Sequence, residues 1–380
     1  MQAYFKKYLH KLSCECIIIK KSQTFHLSMD RRKRMIRVGI VGATGYVGEE
    51  LVRILMQHPE SQIINLTSQS YVGKSFSQIY HNFEGICNTV CEEEDIEKLS
   101  KEADVIFLAL PHGIASKKVN ASILKKAKVI DLGADFRLKN ANVYEQWYNT
   151  EHFSPELLKE AVYGLCEIKR DQIQKSNLIA NPGCYTTCTI LSLYPLLKEN
   201  VIDEDSIIVD AKSGVSGAGR ALSLDIHYIE CTESIKAYKI ASHRHTPEIE
   251  QELGEACKKD ITISFTPHLI PMNRGILATC YGKLKKKVTW DEIMNIYKKY
   301  YEKEQFIRLM NKGVYPETRW VKGSNYCDIG FSVDERTGRI IVIGAIDNLV
   351  KGAAGQAVQN MNILFGLKEN TGLNQIPMFP

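Results

Sequence analysis

The chain has 380 residues, 44% hydrophobic and 24% charged, with a formal net charge of +5 at pH 7. These proportions fit a globular protein of about two domains, and no apolar run approaches the roughly 20 residues that span a bilayer. Residues 1–34 hold nine lysines and arginines against Glu15 and Asp30, so the rest is slightly negative and offers no electrostatic footprint for nucleic acid.

The eleven cysteines are odd in number and scattered, without a C-x-x-C pair or zinc-type spacing. This pattern predicts a cytoplasmic protein with no structural metal, most of its cysteines being small buried hydrophobes. The basic segment 1–34 lacks the apolar core and cleavage site of a signal peptide. It is expected to stand outside the fold, with Met35 as the true first residue or, in the second reading, as an organelle presequence.

From Met35 the elements follow in order. An apolar strand, Ile36 to Val41, runs into "GATGYVG" and then an amphipathic helix carrying Val47, Leu51, Ile54 and Leu55 on one face. Strands at "QIINLTS", "ADVIFLAL" and "AKVIDLG" alternate with helical patterns, which predicts a doubly wound parallel sheet. Gly42, Gly45 and Gly48 then allow a tight turn and close approach of backbone to a dinucleotide pyrophosphate. Thr44, Tyr46 and Val47 in the same loop, and Pro111 after the third strand, are candidate cofactor contacts. The second strand ends in "LTSQSYVGK" without the Asp or Glu that holds an NAD ribose, so Ser68, Ser70 and Lys74 are expected to accept a 2′-phosphate, favouring NADP(H).

Next comes "IANPGCYTTCTIL", where Cys184 follows Pro-Gly between an apolar strand and a helical pattern. A helix start favours a thiolate, so this address suits a nucleophile; Cys188, one turn on, is expected to be packed beneath it. Beyond Cys184 strands succeed one another, which predicts a largely antiparallel sheet with a hairpin near Thr337-Gly338. "SHRHTPEIEQEL" sets His243 and His245 before a helix capped by Thr246, with Glu248 able to orient an acid/base histidine. Arg137, the loop from Ser213 to Arg220, and Arg274 are suited to phosphate or carboxylate. "TWDE" is a capping box at Thr289 and Glu292.

Six motifs in order, "GATGYVGEELVRIL", "LGADFRL", "NPGCYTT", "SGVSGAGR", "HRHTPEIEQ" and "PHLIPMNRGILAT", resemble the N-acetyl-γ-glutamyl-phosphate reductases of arginine biosynthesis. "GAIDNLVKGAAGQA" is similar to the related aspartate-semialdehyde dehydrogenases. The resemblance covers Met35 to the C-terminus. It implies a Rossmann domain for NADP(H) over 35–183 and 347–380, an inserted α+β catalytic domain over 184–346, and a homo-oligomer acting on a small acyl phosphate. By matching position it implies Cys184 as nucleophile, His243 as acid/base, and His245 and Glu248 lining or supporting the site. Arg137 would contact the phosphoryl group, Ser213, Ser216 and Gly217 would lie near nicotinamide or phosphate, and Asn348 would meet the nicotinamide amide. Aspartate-semialdehyde dehydrogenase, the aminoadipate-pathway reductase and a non-catalytic NADP-binding regulator are the rival readings.

Overall fold

The computed structural model describes residues 34–380, so the reading of the basic leader lies, but for its last residue, outside the described residues. Seven strands make an all-parallel sheet: β1 (Ile36–Val41), β2 (Ser61–Thr67), β3 (Cys91–Glu92), β4 (Val105–Leu108), β5 (Lys128–Asp131), β6 (Val162–Tyr163) and β7 (Leu178–Ala180). Their order is β3-β2-β1-β4-β5-β7-β6. The apolar runs at β1 and β4 are buried, as strands covered on both faces must be. Gly39 lets the helix Ile96–Glu102 lie close on β1, since a Cβ there would stand 2.6 Å from Leu99.

A second sheet contains β8 (Ile202–Gly214), β9 (Lys236–Ala237), β10 (Ser264–Ile270), β11 (Ile276–Leu284), β12 (Ile307–Leu309), β13 (Cys327–Asp334) and β14 (Arg339–Ile346), in the order β12-β13-β14-β11-β8-β10-β9. It is antiparallel except for the pairs β8/β10 and β12/β13. β10 runs parallel to β8 because the helix Thr246–Cys257 lies in the crossover between them, and parallel neighbours need such a crossover. The helices Cys184–Lys198, Thr246–Cys257 and Trp290–Tyr301 bury one face of this sheet in a core that includes Val209, Cys280 and Val342.

Two expected elements differ in detail. Thr246 is the first helical residue and His245 the cap, one position earlier than the sequence suggests. The last helix begins with a π-helical stretch, Val350–Ala354, before the α-helix Gly355–Leu364. Its small residues have a steric reason: a Cβ on Gly352 would sit 2.7 Å from the Cβ of Cys184.

Candidate active site

The three loop glycines serve three purposes. Gly42 adopts φ +81, and a Cβ there would stand 2.4 Å from the carbonyl oxygen of Ala109. Gly48 packs helix on strand, its Cβ position lying 2.4 Å from Gly42 O. Gly45 is open, with nothing nearer its Cβ position than Gly42 O at 3.8 Å. It caps the helix Tyr46–Leu55 from extended backbone with no side-chain cap. An open approach to uncapped N–H groups fits a pyrophosphate. Thr44 Oγ1 lies 2.8 Å from Ser68 Oγ, tying the loop to the end of β2, while Ser70 and Lys74 are exposed just beyond.

Cys184 is the first residue of its helix, again after a glycine cap in extended backbone without a side-chain cap. Cys188 is fully buried against Gly344. The turn before Cys184 is held by Glu248, which is itself buried. Its Oε1 accepts the Gly183 N–H at 2.9 Å, the Thr186 hydroxyl at 2.9 Å and the Tyr163 hydroxyl at 2.8 Å. Its Oε2 meets Arg137 Nη1 at 3.3 Å. The buried Arg137 also donates from Nε to Asn181 O and from Nη2 to Leu132 O. Arg137, expected at the phosphoryl group, and Glu248, expected to line or support the site, together brace the Pro-Gly-Cys turn.

The thiol departs from the expected ionisation. Burial pushes Cys184 up to about 11, although the Tyr185 N–H and the Arg137 charge favour its thiolate. The helix start is as expected, but its field does not overcome desolvation of the sulfur.

The surroundings of both histidines favour the neutral ring. Burial, then the neighbouring His245 and Lys239, lowers His243 to about 2; burial and Arg137 hold His245 well below its usual value. The two rings are placed differently. A Cβ on Gly183 would stand 2.5 Å from His245 Nε2, so that ring lies against the residue preceding the cysteine. His245 Nδ1 is buried with no hydrogen-bond partner. His243 is engaged at both nitrogens: Nδ1 accepts the His245 N–H at 3.1 Å and Nε2 lies 3.4 Å from the Tyr238 hydroxyl.

Three further residues, absent from the sequence reading, gather beside this pair. The His112 ring packs edge-on against Tyr148, its Nδ1 buried and unpartnered. Burial, then the charges of Arg244 and Arg137, lowers it to about 3. The Arg244 guanidinium lies 5.3 Å from the Tyr148 ring and forms no ion pair among the described residues. His112 could have been found, since it follows β4 at the carboxyl end of a parallel strand, where ligands of such sheets bind.

The remaining expected residues divide. Asn348 donates to Ser216 Oγ at 2.9 Å and accepts the Gly275 N–H at 2.7 Å, which fixes its amide; Ser213 Oγ donates to Gly214 O at 3.0 Å and stands 3.0 Å from the Cβ position of Gly217. Pro111 is exposed after β4. Arg274 is held elsewhere, on Glu50 of the nucleotide-loop helix at 2.6 Å with Asp347 at 3.6 Å. Arg220 is also away from the cysteine: Nη1 donates to Thr44 O in the glycine loop at 2.9 Å. Among the described residues no group of three or more His, Cys, Asp or Glu converges as metal ligands would, and no helix is long and apolar enough to cross a membrane.

The family model described as "Semialdehyde dehydrogenase, NAD binding domain" matches residues 37–176, and "Semialdehyde dehydrogenase, dimerisation domain" matches 184–348. An N-acetyl-gamma-glutamyl-phosphate reductase of Lachnoclostridium phytofermentans is 57% identical over 346 residues, 91% of this chain and 100% of that one. One from Campylobacter jejuni is 56% identical over 338 residues, 89% of this chain and 98% of the relative. The chain belongs to the N-acetyl-γ-glutamyl-phosphate reductase family. The enzyme shares its fold with a solved aspartate semialdehyde dehydrogenase II of Vibrio cholerae, at a TM-score of 0.67 and 17% identity over 88% of this chain and 99% of that one. The Candida albicans aspartate semialdehyde dehydrogenase, solved with NADP, gives a TM-score of 0.62 at 17% identity over 89% of this chain and 99% of that one. The closer kinship in sequence is with the reductases, so the dehydrogenase reading is not favoured.

Proposed function

We propose that the enzyme reduces N-acetyl-γ-glutamyl phosphate through an acyl group carried on Cys184, with His245 moving the proton. The observation that carries this reading is the Gly183 turn, which puts the cysteine at an uncapped helix start, with the His245 ring against Gly183. Attack of sulfur on the acyl carbon forms a C–S bond and breaks the bond to phosphate, leaving a thioester. Burial keeps the thiol protonated at neutral pH, so attack needs a base, and a neutral imidazole with an unpartnered nitrogen supports that role. NADPH, when bound, supplies the hydride that reduces the thioester. The N–H groups opening the Cys184 helix are oriented to hold the resulting oxyanion. Its collapse restores a carbonyl and expels sulfur, which recovers the proton from His245. Glu248 and Arg137 are positioning residues for the turn. Arg244, a cation without a carboxylate partner, supports binding of an acyl chain that bears a carboxylate.

His243 is the second candidate for the proton, on the motif match; its engagement by Tyr238 and the His245 N–H counts against it. Ser216, Gly217 and Asn348 are assigned to the nicotinamide end, with Ser213 beside them, and Ser68, Ser70 and Lys74 to the ribose end. The nucleotide domain is taken as 35–183 with 347–380 and the catalytic domain as 184–346. A homo-oligomer is supported by the description of the matching domain and by the helix-free face of the second sheet, where Ile208, Tyr281 and Ile341 align across three strands. A cytoplasmic setting is supported by the nine described cysteines, all of them free.

The test is NADPH oxidation with N-acetyl-γ-glutamyl phosphate and with β-aspartyl phosphate. Turnover is expected with the first, at a kcat/KM about 10²-fold or more above the second. Cys184→Ser should lower kcat by at least about 10³-fold with NADPH binding kept. Preference for the aspartyl substrate, or a serine variant retaining a tenth of the activity, contradicts the proposal.

A further inference from the structure

Arg220 ends the loop that follows β8, yet its side chain reaches the glycine loop. Nη1 donates to Thr44 O at 2.9 Å and to the Tyr80 hydroxyl at 3.0 Å. The guanidinium carbon lies 4.7 Å from the Tyr80 ring centroid and 5.5 Å from that of Tyr71. Tyr71 is fixed in turn, its N–H donating to Ser68 Oγ at 3.2 Å. Lys74 Nζ stands 5.8 Å from the same Tyr71 ring. Ser68 Oγ, finally, is bonded to Thr44 Oγ1 at 2.8 Å. One cluster therefore joins the glycine loop, the end of β2 and a residue from the far domain.

Two features of the cluster point to an anion. Neither Arg220 nor Lys74 forms an ion pair with a carboxylate among the described residues. Only Nη1 of Arg220 donates within the protein, so Nε and Nη2 remain as a planar fork of the kind that grips a phosphate through two parallel bonds. The site is specified by its place in the fold: in parallel dinucleotide-binding sheets the adenosine ribose lies at the end of the second strand, where Ser68 is. Two unpaired cations match the roughly two negative charges of a phosphate monoester.

We propose that Arg220 is a specificity residue for the 2′-phosphate of the cofactor, gripping it from the catalytic domain opposite Ser68 and Lys74. The inference rests on the reading of the loop as an NADP(H) site and reassigns Arg220 from substrate to cofactor. It makes the 2′-phosphate a bridge between the two sheets' domains, because the residue that reads it follows β8.

The test measures NADPH and NADH affinity by titration of the nucleotide fluorescence, in the absence of acyl phosphate, for the wild type, Arg220→Gln and Arg220→Lys. The wild type should bind NADPH more tightly than NADH. Arg220→Gln should weaken NADPH by about 30-fold, the scale for loss of a bidentate charge-assisted pair, and leave NADH within about twofold. Arg220→Lys should fall between. Retained NADH binding shows that the variant is folded; if neither glutamine nor lysine variant folds, competition on the wild type replaces it, with adenosine 2′,5′-bisphosphate expected to displace NADPH far better than adenosine 5′-phosphate and to lose that advantage in Lys74→Gln. Equal weakening of both nucleotides overturns the proposal in favour of a loop brace. Unchanged NADPH affinity with a raised KM for acyl phosphate overturns it in favour of substrate contact. A wild type without preference for NADPH overturns the cofactor reading itself.

Discussion

The glycine loop and the cysteine turn share one backbone device and use it differently. Gly45 and Gly183 both precede a helix from extended backbone, with φ/ψ of −79/167 and −71/158, and neither helix has a side-chain cap. Around Gly45 the space is open to 3.8 Å; around Gly183 the His245 ring and the Arg137 guanidinium stand 2.5 and 2.8 Å from the Cβ position. At the first site two cations near the loop are left without carboxylates, while at the second Arg137 is engaged by Glu248 and by main-chain carbonyls. An uncapped helix start thus becomes a binding site when it is open and flanked by unpaired charge. It becomes a site for chemistry when it is enclosed by neutral acid/base groups and desolvated.

The sharpest way to break this contrast is to remove the enclosing histidines one at a time. His245→Asn should lower kcat by about 10²–10⁴-fold, the usual worth of a general base, and His243→Asn by much less. Because burial holds both well below their ordinary value, the base is already deprotonated throughout the neutral range. The kcat/KM profile should therefore show no histidine limb between pH 6 and 7. A limb in that range, or a larger loss from His243→Asn, would restore the assignment expected from the motif alone.

Exchanging the surroundings of the two glycines gives a smaller effect. Gly45→Val should weaken NADPH binding by about 10- to 100-fold, as a branched side chain blocks close approach to the backbone, while the fold is kept. Gly183→Val should leave NADPH affinity near wild type and depress kcat and thermal stability, since it must displace His245 and Arg137. Equal losses of NADPH affinity in both variants would erase the distinction.

The smallest effect is on stability and reports the neutral histidines directly. His112, His243 and His245 all have lowered values in the folded protein. Below the unfolded value near 6.5 the unfolded chain binds protons that the folded protein does not, so stability present above pH 6.5 is lost as pH falls. Each of these groups can contribute up to about 1.4 kcal/mol per pH unit below that point, less where solvent reaches the ring. A Tm that stays constant from pH 7 to 5 would show that the rings are not desolvated.

How much of this was legible in the sequence follows from the range of each interaction. The glycine loop, the strand ending without an acid at Ser68, and Cys184 at a helix start are local patterns, and each lies where the pattern puts it. The partners of Arg220 and Arg274 are not visible in the sequence, because they are set by tertiary contact: Thr44 is 176 residues from Arg220, and Glu50 is 224 from Arg274. The brace formed by Glu248 and Arg137 was hidden for the same reason. A helix start that favours the Cys184 thiolate is visible in the sequence, whereas the desolvation opposing it is not, since that depends on everything packed around the sulfur.

Acylation of Cys184 can be seen by mixing the enzyme with N-acetyl-γ-glutamyl phosphate in the absence of NADPH, following phosphate release and analysing the quenched protein by peptide mass spectrometry. A burst of about one phosphate per active site is expected, with an N-acetylglutamyl adduct on Cys184 and Cys188 unmodified. No phosphate release without the reductant, or an adduct on a different residue, would contradict it.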